Sequence, residues 1–130
     1  MRIRLGLIAL ALAVPACMGK SGPSTVRAQL GLNGFEELAE LYRYRAQDGQ
    51  PPPSRLADVD EHEPALPISY DKLQRGEYVM FWGVGLVPGS DVVLGYEKNA
   101  PQSGGLVLLQ SGMVKTMTAA EFNAARKAGR

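Results

Sequence analysis

Four short apolar runs follow one another in the stretch of residues 77–122, and each is bounded by Gly, Pro, Ser or Asn. Short apolar runs between turn-forming residues are typical of β-strands, so this stretch predicts one antiparallel sheet. The predicted strands cover residues 78–84, 91–97, 105–110 and 113–117. Ser111 and Gly112 are placed for a tight hairpin between the last two strands.

The first predicted strand is apolar on both of its faces. Successive side chains of a strand point to opposite faces. One face would carry Tyr78, Met80, Trp82 and Val84, and the other would carry Val79 and Phe81. We therefore expect this strand in the middle of the sheet.

Helices are predicted before and after the sheet. Asn33 with Glu36, and Thr118 with Glu121, match the capping box, in which each side chain satisfies a backbone N–H group of the other residue. The second helix is expected to continue to the basic residues of 126–130. The first helix carries an apolar stripe at helical spacing, made of Phe35, Leu38, Ala39, Tyr42 and Ala46.

Prolines divide the chain between the first helix and the sheet. Three consecutive prolines at 51–53 predict a stiff connector, because the motif is not repeated as it is in many polyproline ligands. Ser54 is expected to cap a short helix of residues 55–61. Pro64 and Pro67 are then expected to break the chain before residues 71–76 form a helical turn or loop.

The length of 130 residues leaves room for one domain. We expect an α+β domain over residues 34–130, with an N-terminal amphipathic helix packed on a three- or four-stranded antiparallel sheet and a short closing C-terminal helix. Without Arg2 and Arg4, which belong to the export signal described next, 12 basic residues face 13 acidic ones, for a net charge of −1. Because nucleic-acid binding needs a basic patch, no nucleic-acid partner is expected.

The first residues have the pattern of an export signal. Arg2 and Arg4 precede an apolar run at 5–14, which is about half the roughly 20 residues that a membrane-spanning helix needs. Residues 14–16 supply small side chains for cleavage, so residues 1–16 are predicted to be a signal peptide. Together with Cys17, this Val-Pro-Ala-Cys segment resembles the bacterial lipobox, in which the cysteine is acylated.

Cys17 is the only cysteine of the chain. It has no internal partner for a disulfide, and a free exposed thiol would be reactive in an exported protein. We therefore expect lipidation of Cys17 and a lipid anchor in an envelope membrane, with residues 17–33 as a flexible tether and the domain facing the periplasm or the exterior. The alternative is an ordinary signal peptide that is cut at the same bond.

The sequence shows no recognisable catalytic set, and no enzyme, metal or cofactor is expected. The densest group of polar residues predicts a solvated acidic turn, because one histidine cannot supply a usual zinc site and the spacing is not that of a calcium loop. The glycines of residues 83–89 lack the spacing of a dinucleotide-binding loop and predict a turn. The acidic group consists of Asp58, Asp60, Glu61, His62 and Glu63.

Three aromatic residues of the predicted strands are candidates for ligand binding. Tyr78, Trp82 and Tyr96 could form a platform for a glycan or a peptide. Aromatic residues that alternate along a strand are more often part of the core, so the platform is the weaker interpretation.

The closing segment, residues 107–122, resembles the end of prepilin-type, pseudopilin-like C-terminal domains. Ser111 stands where those domains usually have Asp, and Met113 stands where His is common. The resemblance implies a head-like domain, but the charged residues of the predicted first helix make it amphipathic, unlike the apolar helix of a pilus subunit. The matching positions are Gly112, Val114, Thr118, Glu121 and Phe122.

These observations favour a lipid-anchored cell-envelope protein of structural or protein-interaction type, with an envelope protein as its partner. The alternative is an exported non-enzymatic module that binds a glycan or a peptide on the face around Trp82.

Overall fold

The computed structural model describes residues 33–129, which form an α+β fold with a four-stranded antiparallel sheet. This confirms the predicted α+β class and the antiparallel sheet. The helices are α1 (Gly34–Gln47), α2 (Leu56–Asp60), α3 (Pro67–Gln74), α4 (Ala100–Ser103) and α5 (Ala119–Ala124), with a 3-10 turn at Glu63–Ala65. The strands are β1 (Tyr78–Met80), β2 (Val93–Glu97), β3 (Gly105–Leu109) and β4 (Val114–Met117).

The predicted signal peptide (1–16), the predicted lipidation site Cys17 and the predicted tether as far as residue 32 lie outside the described residues. Within residues 33–129, none of the helices has the length and apolar character that crossing a membrane requires.

The sheet is a meander in which each strand pairs with the next one along the chain, in the order β1-β2-β3-β4. The prediction that the first strand lies in the middle was wrong, because β1 is at an edge. Both faces of β1 are apolar because other elements pack on each of them. Packing on the faces of a strand does not determine whether the strand lies in the middle or at the edge of its sheet. The strand is also shorter than predicted, and just beyond it the N–H of Gly83 donates to the carbonyl oxygen of Pro53 at 2.9 Å.

Two hydrophobic clusters cover the two faces of the sheet. The first contains the buried side of α1, together with Leu73 of α3 and Tyr78 of β1. Within it the rings of Phe35 and Tyr78 stack with centroids 3.9 Å apart. The second cluster, on the opposite face, contains Phe122 of α5. The sheet therefore separates a layer of α1 and α3 from a smaller layer of α4 and α5.

Helix α1 has the predicted start. The side chain of Asn33 accepts a hydrogen bond from the Glu36 N–H at 3.1 Å, and the Glu36 carboxylate accepts one from the Asn33 N–H at 2.9 Å. Gly34 lies against Tyr78, where a Cβ atom would come within 2.7 Å of the tyrosine ring. This close approach brings the start of α1 onto the first residue of β1.

Helix α3 begins where the sequence predicted a break. Pro67 occupies the first turn, where its missing N–H costs nothing, instead of interrupting the chain. The next two N–H groups, those of Ile68 and Ser69, donate to the carboxylate of Glu37 at 3.1 and 2.8 Å. Glu37 is fully buried, so an acidic side chain of α1 caps the positive end of α3.

Helix α2 is capped differently from the prediction. Ser54 does not cap it; instead the Asp58 carboxylate accepts hydrogen bonds from the N–H and the hydroxyl of Ser54, both at 2.9 Å. Both hydrogen bonds lower the pKa of Asp58, and the one from the backbone N–H has the larger effect. Residues 99–104 contain the helical turn α4.

The last helix has the predicted capping box between Thr118 and Glu121 but ends earlier than expected, at Ala124. Residue Lys127 then forms a parallel bridge with Val93 of β2. The ammonium group of Lys127 donates to the carbonyl oxygens of Phe122 and Ala125, which lie at the end of α5. A basic side chain thus satisfies carbonyls that further helical turns would have used.

Candidate functional site

The three aromatic candidates do not share one surface. Tyr78 is buried in the first cluster beneath α1, and Tyr96 packs on Phe122 in the second cluster, with ring centroids 4.6 Å apart. In the β1–β2 register Tyr96 lies opposite Val79, and directly opposite residues share a face. Tyr78 and Tyr96 are therefore on opposite sides of the sheet.

Trp82, half-buried beside the outer edge of β1, shares one groove with Tyr78 but not with Tyr96. It lines an apolar groove of about 240 Å³ with Leu56 of α2, Leu73 of α3 and Met80 of β1. The groove offers a surface for an apolar side chain, and Trp82 is the single tryptophan that would report on binding there.

Burial makes two tyrosine hydroxyls hard to ionise. Burial, aided by the nearby charge of Glu97, raises the pKa of Tyr78 to about 12. Burial also raises the pKa of Tyr42, whose hydroxyl has no hydrogen-bond partner within residues 33–129. Neither group is suited to act as a general base near neutral pH.

These shifts predict a loss of stability in alkali. An unfolded tyrosine ionises near pH 10, whereas Tyr42 and Tyr78 hold their protons to higher pH when folded. Above pH 10 the unfolded chain therefore binds fewer protons, and each of the two tyrosines lowers the free energy of unfolding by about 1.4 kcal/mol per pH unit. We expect Tyr42→Phe to make this decline shallower, as measured by urea unfolding between pH 9 and about 11.5.

Tyr44→Phe is the matched control, because Tyr44 is 55% exposed and the substitution removes the same atom. It should leave the alkaline decline as steep as in the unsubstituted chain. Equal slopes in the Tyr42→Phe and unsubstituted proteins would contradict the assignment.

The outer edge of β4 is open. The N–H of Leu109 donates to the carbonyl of Met113 at 2.8 Å, and hydrogen-bonded positions alternate along an antiparallel pair. The backbone groups of Val114 and Thr116 therefore point away from β3, and no residue of 33–129 hydrogen-bonds to them from outside the sheet. Beside this edge lies a groove of about 330 Å³ between β4 and α1, flanked by Met113, which is 67% exposed.

The residues of the predicted acidic turn make separate contacts and do not form one site. Asp58 binds Ser54, and the hydroxyl of Tyr70 bonds to Asp60, which raises the pKa of Tyr70. Within the described range of 33–129, no three His, Cys, Asp or Glu side chains are grouped as they would be to hold a metal ion.

Residues 83–89 form an ordered connection that is fastened to the end of β3. The side-chain amide of Gln110 donates to the carbonyl of Gly85 at 3.1 Å, and the N–H of Val87 donates to the carbonyl of Gln110 at 2.9 Å. The side-chain oxygen of Gln110 accepts from the Ser90 hydroxyl at 3.2 Å. Gln110 therefore fixes the path of this glycine-rich segment.

One cavity was not indicated by the sequence. It has a volume of about 260 Å³ and lies between the outer face of α1 and the 3-10 turn. The rings of Tyr44 and His62 meet there edge to face, at 6.0 Å and 74°. No local pattern pairs Tyr44 with His62, because they are distant in sequence and meet only when residues 62–66 pack against α1. The walls consist of Glu40, Leu41, Tyr44, His62, Ala65 and Leu66.

Comparison with known proteins gives no match: no family model, curated protein or solved structure is similar to this chain.

Proposed function

We propose that the chain is a lipid-anchored cell-envelope protein that acts through contacts with another envelope protein. The sequence of residues 1–17 supports export, removal of the signal peptide and acylation of Cys17. Residues 18–32 would then connect the acyl anchor to the domain that begins at Asn33. The domain faces the periplasm or the exterior in this proposal.

The observation that carries the interaction role is the open edge of β4. A strand with unpaired outward N–H and C=O groups accepts an extended segment of another chain by strand addition. Val114 and Thr116 offer such groups, and the groove of about 330 Å³ between β4 and α1 offers space for side chains of the added strand.

A second support is the likeness to pseudopilin heads. Helix α1 lies over a small antiparallel sheet, and the closing segment has the Gly112, Val114 and Thr118 positions of that pattern. Helix α1 exposes Glu40 and Arg43, so we propose a head-like domain without a filament-forming helix.

The interaction role is tested by placing a photo-cross-linking amino acid at Thr116 of the full chain in its native membranes. We expect one discrete adduct with another protein. The matched position is Gln102 on α4, which is also exposed and lies away from β4. Equal adduct yields from both positions, or none from Thr116, would contradict a partner at the β4 edge.

A second function is favoured by the groove beside β1. An exported module that binds a glycan or a peptide would use Trp82 with Leu56 and Leu73. A saturable change in Trp82 fluorescence on adding glycans or peptides would support this function. If Trp82 fluorescence does not change with these ligands and an envelope partner is captured, the interaction role is the better account.

A further inference from the structure

The outer edge of β1, on the opposite side of the sheet from β4, is also open. The N–H of Phe81 donates to the carbonyl of Leu94 at 2.9 Å, and hydrogen-bonded positions alternate along an antiparallel pair. The backbone groups of Tyr78 and Met80 therefore point away from β2. Among residues 33–129, none hydrogen-bonds to these groups from outside the sheet. An open edge of this kind accepts an added strand.

The groove beside this edge is apolar, unlike the groove beside β4. It is bounded by Leu56, Leu73 and Trp82, which pack in or against the first hydrophobic cluster, on the side of the sheet that carries α3. The groove beside β4 includes three charged side chains of α1 instead. A strand added at β1 therefore needs apolar side chains on the face that it turns toward α3.

The segment just before the described residues has such a face in its sequence. Val26, Ala28 and Leu30 alternate with Arg27 and Gln29, and no proline occurs in residues 24–33. Alternation of apolar and polar side chains is typical of a strand with one buried face, and proline would interrupt such a strand. The sequence of residues 26–30 thus matches what the groove requires.

The chain enters the described domain at the start of β1. Gly34 lies against the ring of Tyr78, the first residue of β1, and Asn33 directly precedes it. Residues 31–33 can span about 10 Å when extended, which is enough to pass from the ring of Tyr78 to the edge of its strand. A segment that runs along β1 toward Asn33 is antiparallel to β1.

We propose that residues 26–30 pair with the outer edge of β1 as a fifth, antiparallel strand. Leu30 lies opposite Tyr78 in this pairing, and Ala28 lies opposite Met80. Directly opposite residues share a face, so the apolar side chains of the segment enter the groove beside α3. The backbone groups of the segment satisfy the open groups of β1.

The added strand has two consequences. Its apolar side chains cover the groove at Trp82, so a glycan or a peptide reaches this groove only by displacing them. It also shortens the predicted tether to residues 18–25, which span at most about 28 Å. The pairing depends neither on the lipid anchor nor on a partner at β4, whereas the short tether rests on the proposed anchor.

The test is disulfide formation in the full chain carrying Cys17→Ser, in which only introduced cysteines can react. Gln29 lies opposite Val79 in a non-hydrogen-bonded pair, whose Cα separation of about 4.5 Å suits a disulfide. We expect Gln29→Cys with Val79→Cys to form an intramolecular disulfide in most molecules when oxidised glutathione is added.

The matched control combines Gln29→Cys with Lys115→Cys, because Lys115 is an exposed residue of β4, the other edge strand. The control should form at least about tenfold less disulfide, since the two positions are then on opposite sides of the sheet. Equal yields, a higher yield with Lys115→Cys, or no disulfide with Val79→Cys would overturn the pairing.

Hydrogen exchange of the Met80 amide gives a second readout in the full chain. Leu30→Ser removes an apolar contact with the groove and should accelerate this exchange at least about tenfold. Gln29→Ser alters the other face of the segment and should change the exchange rate less than about twofold. Equal acceleration by the two substitutions would contradict the apolar contact. The Thr116 cross-link concerns the other edge, so the interaction role stands if the pairing at β1 fails.

Discussion

Gly104→Ala should destabilise the domain by about 3 kcal/mol or more, which is a large effect for adding one methyl group. Gly104 links α4 to β3 with φ of +74° and ψ of 171°, a conformation that is essentially restricted to glycine and costs another residue about 1–3 kcal/mol. The added Cβ would also lie 2.6 Å from the carbonyl oxygen of Met117 and 3.1 Å from the Cα of Thr118. Both neighbours are backbone atoms at the junction of β4 and α5, so relief requires that the junction move. Urea unfolding measures the loss.

Gly89→Ala tests a positive φ without the close backbone contact. Gly89 has the same φ of +74°, but an added Cβ would meet no atom within 4 Å. It should therefore cost only the backbone term, about 1–2 kcal/mol. Equal losses at the two positions would show that the contact between Gly104 and the β4–α5 junction is not as close as described.

Glu37→Gln should lower the free energy of unfolding by about 3 kcal/mol, although the side chain keeps its size. The buried carboxylate accepts two N–H groups at the start of α3. Glutamine has one acceptor oxygen and no charge to interact with the dipole of α3. Its NH₂ group would be buried beside two N–H donors, to which it cannot hydrogen-bond. Chemical denaturation at pH 7 measures the change.

Glu61→Gln serves as the control for this substitution, because Glu61 is exposed at the end of α2. Its effect should stay within about 0.5 kcal/mol, the range of ordinary surface substitutions. A loss at Glu37 no larger than that would contradict the role of the carboxylate in joining α1 to α3.

Much of the fold could be predicted because its signals are local. The capping boxes at Asn33 and Thr118 depend on residues three positions apart, and both are present. The four strands follow from apolar runs and turn residues, and each lies within its predicted range. The ends of elements were less predictable, since contacts outside the local pattern occur there: Gly83, beyond β1, bonds to Pro53, and Lys127 bonds to carbonyls at the end of α5.

The misplaced features depend on residues that are distant in sequence. Pro67 was predicted to break the chain because the residue that caps its helix, Glu37, lies 30 positions earlier and belongs to no local pattern. Tyr78 and Tyr96 were grouped because alternation assigns faces within one strand, whereas the face shared across strands depends on register. For the same reason the sequence pointed to neither the Tyr44–His62 cavity nor the open edge of β4.

The most direct test of the proposed anchored role is the intact mass of the protein extracted from membranes, beside a Cys17→Ser variant. We predict a mature chain that begins at Cys17 and carries acyl groups, and loss of the variant from the membrane fraction. An unmodified mature chain that begins at Cys17 would contradict the lipid anchor and favour a freely exported module that uses Trp82.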